Sequence, residues 1–234
     1  MKSIYIFIIQ YIMKIYLSCH HKTGTYYLRT LSQLFSKYDK NNRYILDNHS
    51  HLANRSSGKR KIIHIIRNPY EIITSGYFYH KKCTEKWCTN IWVSTNADNI
   101  RYNFNGLSYQ EKLNKLNLED GINFEMKGRS YNCIKDMCKF KHYNKKFCLN
   151  LKMEDLFDNP DDFLDKIINF LDIPELKNND YSSLKMENNN KLNNHSTNKT
   201  RTTERHKEIF SEKNFIFFKK TFSEFCMENI GYKI

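Results

Sequence analysis

Residues 12–38 have the sequence IMKIYLSCHHKTGTYYLRTLSQLFSKY, in which an apolar run, a polar turn and a helical period follow one another. The run from Ile12 to Ser18 predicts a short buried strand. After residues 19–25, apolar and aromatic side chains recur three or four positions apart, which predicts a helix. These helix positions are Tyr27, Leu28, Leu31, Leu34, Phe35 and Tyr38. A strand that passes through a tight loop into a helix is the opening unit of an α/β fold.

The same order of strand and helix occurs again between residues 62 and 77. Ile62 to Ile66 form an almost uninterrupted β-branched run, typical of a parallel strand buried on both faces. Asn68 and Pro69 then provide an N-cap and a favourable first helical residue. Further elements are predicted as a strand over 147–152, helices that begin at Ser108 and Asn159, a helix over 120–139, and a last helix with Phe215, Phe218, Phe222 and Phe225. We therefore predict an α/β fold with three α/β/α layers around a central parallel sheet.

Three segments are predicted to lie outside this layered core. Residues 1–12 form an N-terminal extension or an anchor, although the apolar start is shorter than the roughly 20 residues that a membrane span needs. Residues 80–106 are predicted to be an irregular insertion, and residues 177–200 an Asn-rich loop. Because no internal repeat is visible, residues 1–234 are predicted to form a single domain.

The charge balance favours anionic ligands. The chain has 38 Lys and Arg against 25 Asp and Glu, a formal net charge of +13. Nucleotides, nucleic acids, charged glycans and anionic membranes all fit this balance. An AT-rich coding bias would also produce many Asn and Lys codons, which reduces the weight of the argument. Charge alone therefore does not select one ligand class.

The cysteine content excludes a disulfide scaffold, because seven cysteines are too few for a chain of 234 residues. Two pairs, Cys83 with Cys88 and Cys133 with Cys138, share a spacing of four intervening residues. Such pairs fit zinc ligands, local disulfides or free thiols. Because no histidine falls at a regular offset, free thiols are favoured and no metal is expected.

The loop over residues 19–25 has the chemistry of an anion site. It lies between a strand and a helix, so its amides and the helix dipole face whatever anion binds there. Gly24 permits close approach of the backbone, Thr23 and Thr25 add hydroxyl groups, and Lys22 adds a positive charge. In a Walker A motif the lysine follows the glycine, whereas here it precedes it. A nucleoside triphosphatase or kinase is therefore disfavoured.

A second anion-binding pair follows the strand at residues 62–66. Arg67 stands at the carboxyl end of this strand, and Ser75 lies eight residues later in the following helix. A guanidinium and a hydroxyl in this arrangement can hold one phosphate from two sides.

Together these motifs resemble those of the sulfotransferases that use 3′-phosphoadenosine 5′-phosphosulfate (PAPS). Residues 21–25, HKTGT, are similar to the family's 5′-phosphosulfate loop, and Arg67-Asn68-Pro69 with Ser75 is similar to its 3′-phosphate motif. Residues 152–160, KMEDLFDNP, and 170–174, FLDIP, resemble a third characteristic stretch. The resemblance implies a fold related to that of P-loop nucleoside triphosphatases, with PAPS as co-substrate.

The resemblance also implies roles for individual residues. Lys22 would contact the sulfuryl group and the bridging oxygen, and Arg67 and Ser75 would hold the 3′-phosphate. The loop residues His21, Thr23, Gly24, Thr25 and Tyr26 would hold the 5′-phosphate. The family's Arg-Lys-Gly element near the C-terminus is missing here, and Lys199 or Arg201 is expected to replace it.

An alcohol acceptor requires a base, because its proton must leave as the new S–O bond forms. By resemblance, this base is a histidine before the Arg-Asn-Pro strand. His51 matches best, His49 is second and Asp47 is third.

The expected activity is in-line transfer from PAPS to a hydroxyl or amine of a glycan or small molecule. PAPS and its product adenosine 3′,5′-bisphosphate (PAP) are the expected ligands, and no nucleic acid is expected. The alternative is a catalytically degraded nucleotide- or polyanion-binding module on the same fold. The apolar N-terminus favours membrane association in the Golgi, whereas the free thiols favour the cytoplasm.

Overall fold

The computed structural model describes residues 12–55, 57, 59–91, 104–143, 146–184, 204–223 and 227–232. In this part of the chain four strands form one sheet, in the order β2-β1-β3-β4. The strands are β1 (Lys14–Cys19), β2 (Arg43–Asn48), β3 (Arg60–Ile66) and β4 (Cys148–Lys152). All three pairings are parallel, so the carboxyl ends of β1 and β3 lie side by side at one edge of the sheet.

The helices within the same ranges are α1 (Thr25–Tyr38), α2 (His51–Arg55), α3 (Pro69–His80), α4 (Lys86–Thr89), α5 (Tyr109–Lys115), α6 (Leu118–Lys127), α7 (Arg129–Cys138), α8 (Met153–Asp158), α9 (Pro160–Leu171), α10 (His206–Ile209) and α11 (Glu212–Phe222). Three short 3-10 turns lie at Pro174–Leu176, Ser182–Leu184 and Met227–Ile230. None of the described helices combines the length and the apolar character needed to cross a bilayer.

The sheet separates two layers of helices, because successive side chains of a strand point to opposite faces. Ile15 and Leu17 of β1, with Ile63 and Ile65 of β3, pack against α1 and α9 on one face. On the other face, Ile66 packs into a cluster that includes residues of α3, α5, α6, α7 and α11. The structure therefore confirms the predicted α/β fold with a central parallel sheet between helical layers.

One strand was not predicted from the sequence. β2 pairs with β1 along its whole length, from Lys14 opposite Arg43 to Cys19 opposite Asn48. It occupies one end of the strand order, and only one of its six residues is buried. Without a long apolar run or a clean alternation, such a strand gives a weak sequence signal.

The helix predicted over residues 120–139 is in fact two helices, α6 and α7, which are separated by Gly128. Gly128 has a ψ of −126°, outside the helical range. A Cβ atom at this position would lie 2.5 Å from the hydroxyl oxygen of Tyr109. Because a side chain from another helix occupies this space, the break depends on a contact that the local period does not reveal.

The predicted irregular insertion over 80–106 includes the short helix α4, and residues 92–103 lie outside the described ranges. Of the predicted Asn-rich loop, residues 185–200 lie outside them as well. Residues 1–11 of the predicted extension over 1–12, the lid residues Lys199 and Arg201, and Phe225 of the last predicted helix are also outside. That residues 1–234 form a single domain stays a prediction.

Candidate active site

The loop between β1 and α1 is closed by the side chain of Thr23, which bonds back to His20. The hydroxyl of Thr23 accepts a hydrogen bond from the His20 amide at 2.6 Å and donates one to the His20 carbonyl at 2.9 Å. Lys22 and Gly24 both have positive φ angles, 64° and 98°. The Thr23 hydroxyl is therefore engaged inside the loop.

Gly24 leaves the N-terminus of α1 without a side-chain cap. The first amides of a helix, here those of Thr25, Tyr26 and Tyr27, have no acceptor within the helix. With 14 residues, α1 also presents the positive end of its dipole to the loop. The strand, loop and helix together therefore present free amides and a positive helix end, an arrangement that can hold an anion.

Lys22 extends over an aromatic ring at the end of α3. Its Nζ atom lies 3.9 Å from the centroid of the Tyr79 ring. Burial, assisted by the positive charge of Arg67, lowers the pKa of Lys22 to about 8. The ammonium is therefore poorly solvated, which strengthens its interaction with an approaching anion.

Arg67 joins the end of β3 to this loop. Its Nη1 atom donates to the Lys22 carbonyl at 2.9 Å, and its Nη2 atom lies 3.7 Å from Oε2 of Glu71. Glu71 is buried and also accepts from the His206 ring at 2.7 Å. The side chain of Arg67 is thus held beside the loop by partners on both sides.

Ser75 lies in the same helix as Glu71 and is 7% exposed. Ser75 lies one helical turn after Glu71 and one turn before Tyr79, so these three residues lie on one face of α3. The structure therefore brings Lys22, Arg67 and the Ser75 helix to one side of the molecule.

The third sequence motif, residues 152–160, contacts the second motif at Asn68. Glu154 in α8 accepts from the Asn68 amide at 2.9 Å and from the Tyr232 hydroxyl at 2.7 Å. The Asn68 side chain in turn caps α3 by accepting from the Tyr70 amide at 3.0 Å. Residues 152–160 therefore stabilise the start of the helix that carries Ser75.

The three residues named as base candidates have different surroundings. Asp47 is buried and accepts from the Ala53 amide at 2.7 Å and the Leu52 amide at 3.1 Å, which holds the start of α2. His49 is half-buried, with Nε2 at 3.4 Å from Nη2 of Arg129. His51 is exposed, and its ring centroid lies 5.9 Å from that of His49.

Sequence reasoning missed a buried polar cluster beside the loop. His21 contacts His80, His80 contacts Glu125, and Glu125 accepts hydrogen bonds from Tyr109 and Ser130. His80 and Glu125 have no measurable exposure. The five residues come from the loop, α3, α5, α6 and α7, so no local spacing in the sequence brings them together.

This cluster requires a glycine in α3. A Cβ atom at Gly76 would lie 2.6 Å from Oε1 of Glu125 and 2.9 Å from the Ser130 hydroxyl oxygen. We expect Gly76→Ala to lower the free energy of unfolding by about 1–3 kcal/mol, as overpacking of a filled core does. Urea denaturation measures the change, and Ser36→Ala on the exposed face of α1 is a control expected to stay within about 0.5 kcal/mol. An unchanged midpoint for Gly76→Ala would show that the cluster is loosely packed.

The six cysteines of the described ranges are free thiols. Across those ranges, no group of three or more His, Cys, Asp or Glu side chains is arranged to hold a metal ion.

Comparison with known proteins agrees with the geometry. The family described as "Sulfotransferase domain" matches residues 5–230. No curated protein matches the chain significantly. Among solved structures, mouse sulfotransferase SULT7A1 complexed with PAP matches with a TM-score of 0.52 and 16% identity, covering 94% of this chain and 86% of that chain. At this identity the structural likeness shows the fold, and the family match extends over nearly the whole sequence; the chain therefore belongs to the sulfotransferase family.

Proposed function

We propose that this chain transfers a sulfuryl group from PAPS to a hydroxyl or amine of a glycan or small molecule. The observation that carries the proposal is the 2.9 Å hydrogen bond from Arg67 to the Lys22 carbonyl. It joins the two anion-binding motifs at the carboxyl ends of neighbouring strands, so that one nucleotide can reach both. The PAP bound in the mouse relative supports the same ligand class.

In this proposal the donor spans the two motifs. The loop from His21 to Tyr26 holds the 5′-phosphate, mainly through backbone amides, because the Thr23 hydroxyl is engaged with His20. Arg67 and Ser75 hold the 3′-phosphate. Lys199 or Arg201 would close over the 3′-phosphate.

The reaction is proposed as an in-line transfer. Sulfuryl transfer resembles phosphoryl transfer in its loose transition state, so positioning and charge stabilisation provide most of the catalysis. Negative charge grows on the bridging oxygen as its bond to sulfur breaks, and the Lys22 ammonium is the group that meets it. A histidine takes the proton of the acceptor; His51 and His49 are the candidates that the family resemblance supplies.

The acceptor is proposed to bind beside Tyr79 and Trp87. The Tyr79 ring lies directly below the Lys22 ammonium. Trp87 lies 4.9 Å from the His80 ring between centroids, with the Arg129 guanidinium at 5.6 Å. Aromatic faces of this kind suit a phenol or the apolar face of a sugar.

Binding of PAP provides the first test. We expect saturating PAP to stabilise the protein by about 2.7 kcal/mol at a hundredfold excess over its Kd. For a chain of this size the melting temperature then rises by roughly 5–10 °C. Adenosine 5′-phosphate, which lacks the 3′-phosphate, should give a smaller shift at the same concentration. Equal shifts for the two nucleotides would contradict the proposed 3′-phosphate site.

Transfer of labelled sulfate from PAPS to a panel of phenols, amines and glycans tests the activity itself. Transfer that depends on Lys22 supports the enzyme. PAP binding without transfer to any acceptor would favour the alternative, a nucleotide- or polyanion-binding module.

A further inference from the structure

A chain of three polar groups leads away from the loop, from the half-buried His21 to the buried His80 and Glu125. Nε2 of His21 lies 3.0 Å from Nε2 of His80, and Nδ1 of His80 lies 2.9 Å from Oε2 of Glu125. The two imidazole rings are nearly parallel, with an interplanar angle of 7°. The mechanism described above uses neither His80 nor Glu125.

Glu125 is held as a carboxylate. The Tyr109 hydroxyl donates to Oε2 at 2.7 Å, and the Ser130 hydroxyl donates to Oε1 at 2.6 Å. Burial raises the pKa of the Glu125 carboxyl, but the His80 ring and the two hydroxyls outweigh it and hold this pKa below its usual value. Both carboxylate oxygens therefore act as acceptors.

This carboxylate fixes one hydrogen of His80. Since an ionised carboxylate only accepts, the hydrogen between it and His80 is on Nδ1 of His80. In the arrangement proposed below, Nε2 of His80 carries no hydrogen and accepts from Nε2–H of His21 across 3.0 Å. That leaves the lone pair of a neutral His21 on Nδ1, since the hydrogen bond described for this ring uses Nε2.

His21 itself is neutral near pH 7. Burial, together with the charges of neighbouring groups, lowers the pKa of His21 well below its ordinary value. The titratable and charged groups that face it are His80 and Tyr79 of α3, Arg129 and Cys133 of α7, Lys22 of the loop, and His49. A neutral ring with a lone pair on Nδ1 is the form that accepts a proton.

We propose that His21 is the general base of the transfer, with His80 and Glu125 behind it as positioning residues. This inference rests on the proposed sulfotransferase function. The acceptor's proton moves to Nδ1 of His21 while the acceptor oxygen bonds to sulfur, and the electron pair of the broken S–O bond stays on the phosphate of PAP. The resulting imidazolium shares its Nε2 proton with His80, whose Nδ1–H faces the Glu125 carboxylate. A carboxylate behind a histidine orients and stabilises the imidazolium in the same way in serine proteases.

The two histidines named by resemblance have different surroundings. The Arg129 guanidinium has only donors, so at 3.4 Å it directs a hydrogen towards the lone pair of Nε2 in His49. His51 is exposed on α2. His21, in contrast, is the residue next to Lys22 and lies in the loop proposed to hold the donor.

Three variants of the full chain test the inference: His21→Ala, Glu125→Gln and, as a matched buried histidine outside the relay, His142→Gln. With the acceptor found in the panel, His21→Ala should lower kcat by about 100-fold while the Kd of PAP stays within about threefold. Glu125→Gln should lower kcat by about tenfold and move the acid limb of kcat/KM to lower pH, because the imidazolium loses its counter-charge. His142→Gln should retain the wild-type rate.

Imidazole nitrogen NMR of the unliganded protein gives a readout that needs no turnover. We expect His21 as the Nε2–H tautomer in the wild type, and a change of its tautomer population in Glu125→Gln. A wild-type protein that transfers no sulfate would overturn the proposed function. An active wild type with an equally active His21→Ala, or with His49→Ala or His51→Ala as the only inactive variant, would overturn the inference alone. An Nδ1–H tautomer of His21 would also overturn it.

Discussion

Replacing Lys22 by alanine is expected to reduce kcat by 100- to 1,000-fold, about 3–4 kcal/mol of transition-state stabilisation. The ammonium is proposed to act on the bridging oxygen, whose charge develops only as the bond to sulfur breaks. PAP affinity should therefore fall much less than kcat. Single-turnover transfer from PAPS and calorimetric binding of PAP separate the two effects.

The same residue predicts a pH dependence. Because the pKa of Lys22 is lowered to about 8, the free protein loses this charge as the pH rises through that value. Only the cationic form stabilises the leaving oxygen, so kcat/KM for PAPS should fall above pH 8. Bound phosphates favour the ammonium, so the corresponding limb of kcat should lie at higher pH. Lys22→Arg should be less active at pH 7 but lack the alkaline limb, whereas a limb that persists in this variant would assign it to another group.

The local parts of the fold were predictable because each depends on a few consecutive residues. The apolar run before Cys19, the loop with Gly24 and the period of α1 lie within 27 residues. β2 was missed because only one of its six residues is buried and its apolar run is only three residues long. The break at Gly128 was missed because its cause, the Tyr109 ring, lies in another helix.

The candidate site shows the same division between local and distant contacts. Lys22, Arg67 and Ser75 were selected by spacing within two strand-loop-helix units, and the parallel sheet brings those units together. The His21–His80 and His80–Glu125 contacts join residues 59 and 45 positions apart. Residue types at such separations carry no periodic signal, so only the packing of α3 against α6 and α7 brings them together.

Arg67→Ala is expected to raise the Kd of PAP by about 100-fold, since a charged hydrogen-bond donor to the 3′-phosphate is lost. Arg67 also donates to the Lys22 carbonyl, so its removal should disturb the loop as well. The two contributions are separable, because adenosine 5′-phosphate uses the loop but has no 3′-phosphate. In this variant Glu71 still accepts hydrogen bonds from the His206 ring at 2.7 Å and from the His206 amide at 3.0 Å. The variant should therefore still fold.

Calorimetric titration of both nucleotides into wild type, Arg67→Ala and Arg43→Ala decides between the two roles. Arg43 is exposed on the edge strand β2, so its replacement controls for the loss of one positive charge. If Arg67 binds the 3′-phosphate, affinity for PAP should fall at least tenfold more than affinity for adenosine 5′-phosphate. Equal losses for the two nucleotides would mean that Arg67 only fixes the loop. The 3′-phosphate would then have to bind elsewhere, and the geometry that links the two motifs to one donor would no longer support the proposed activity.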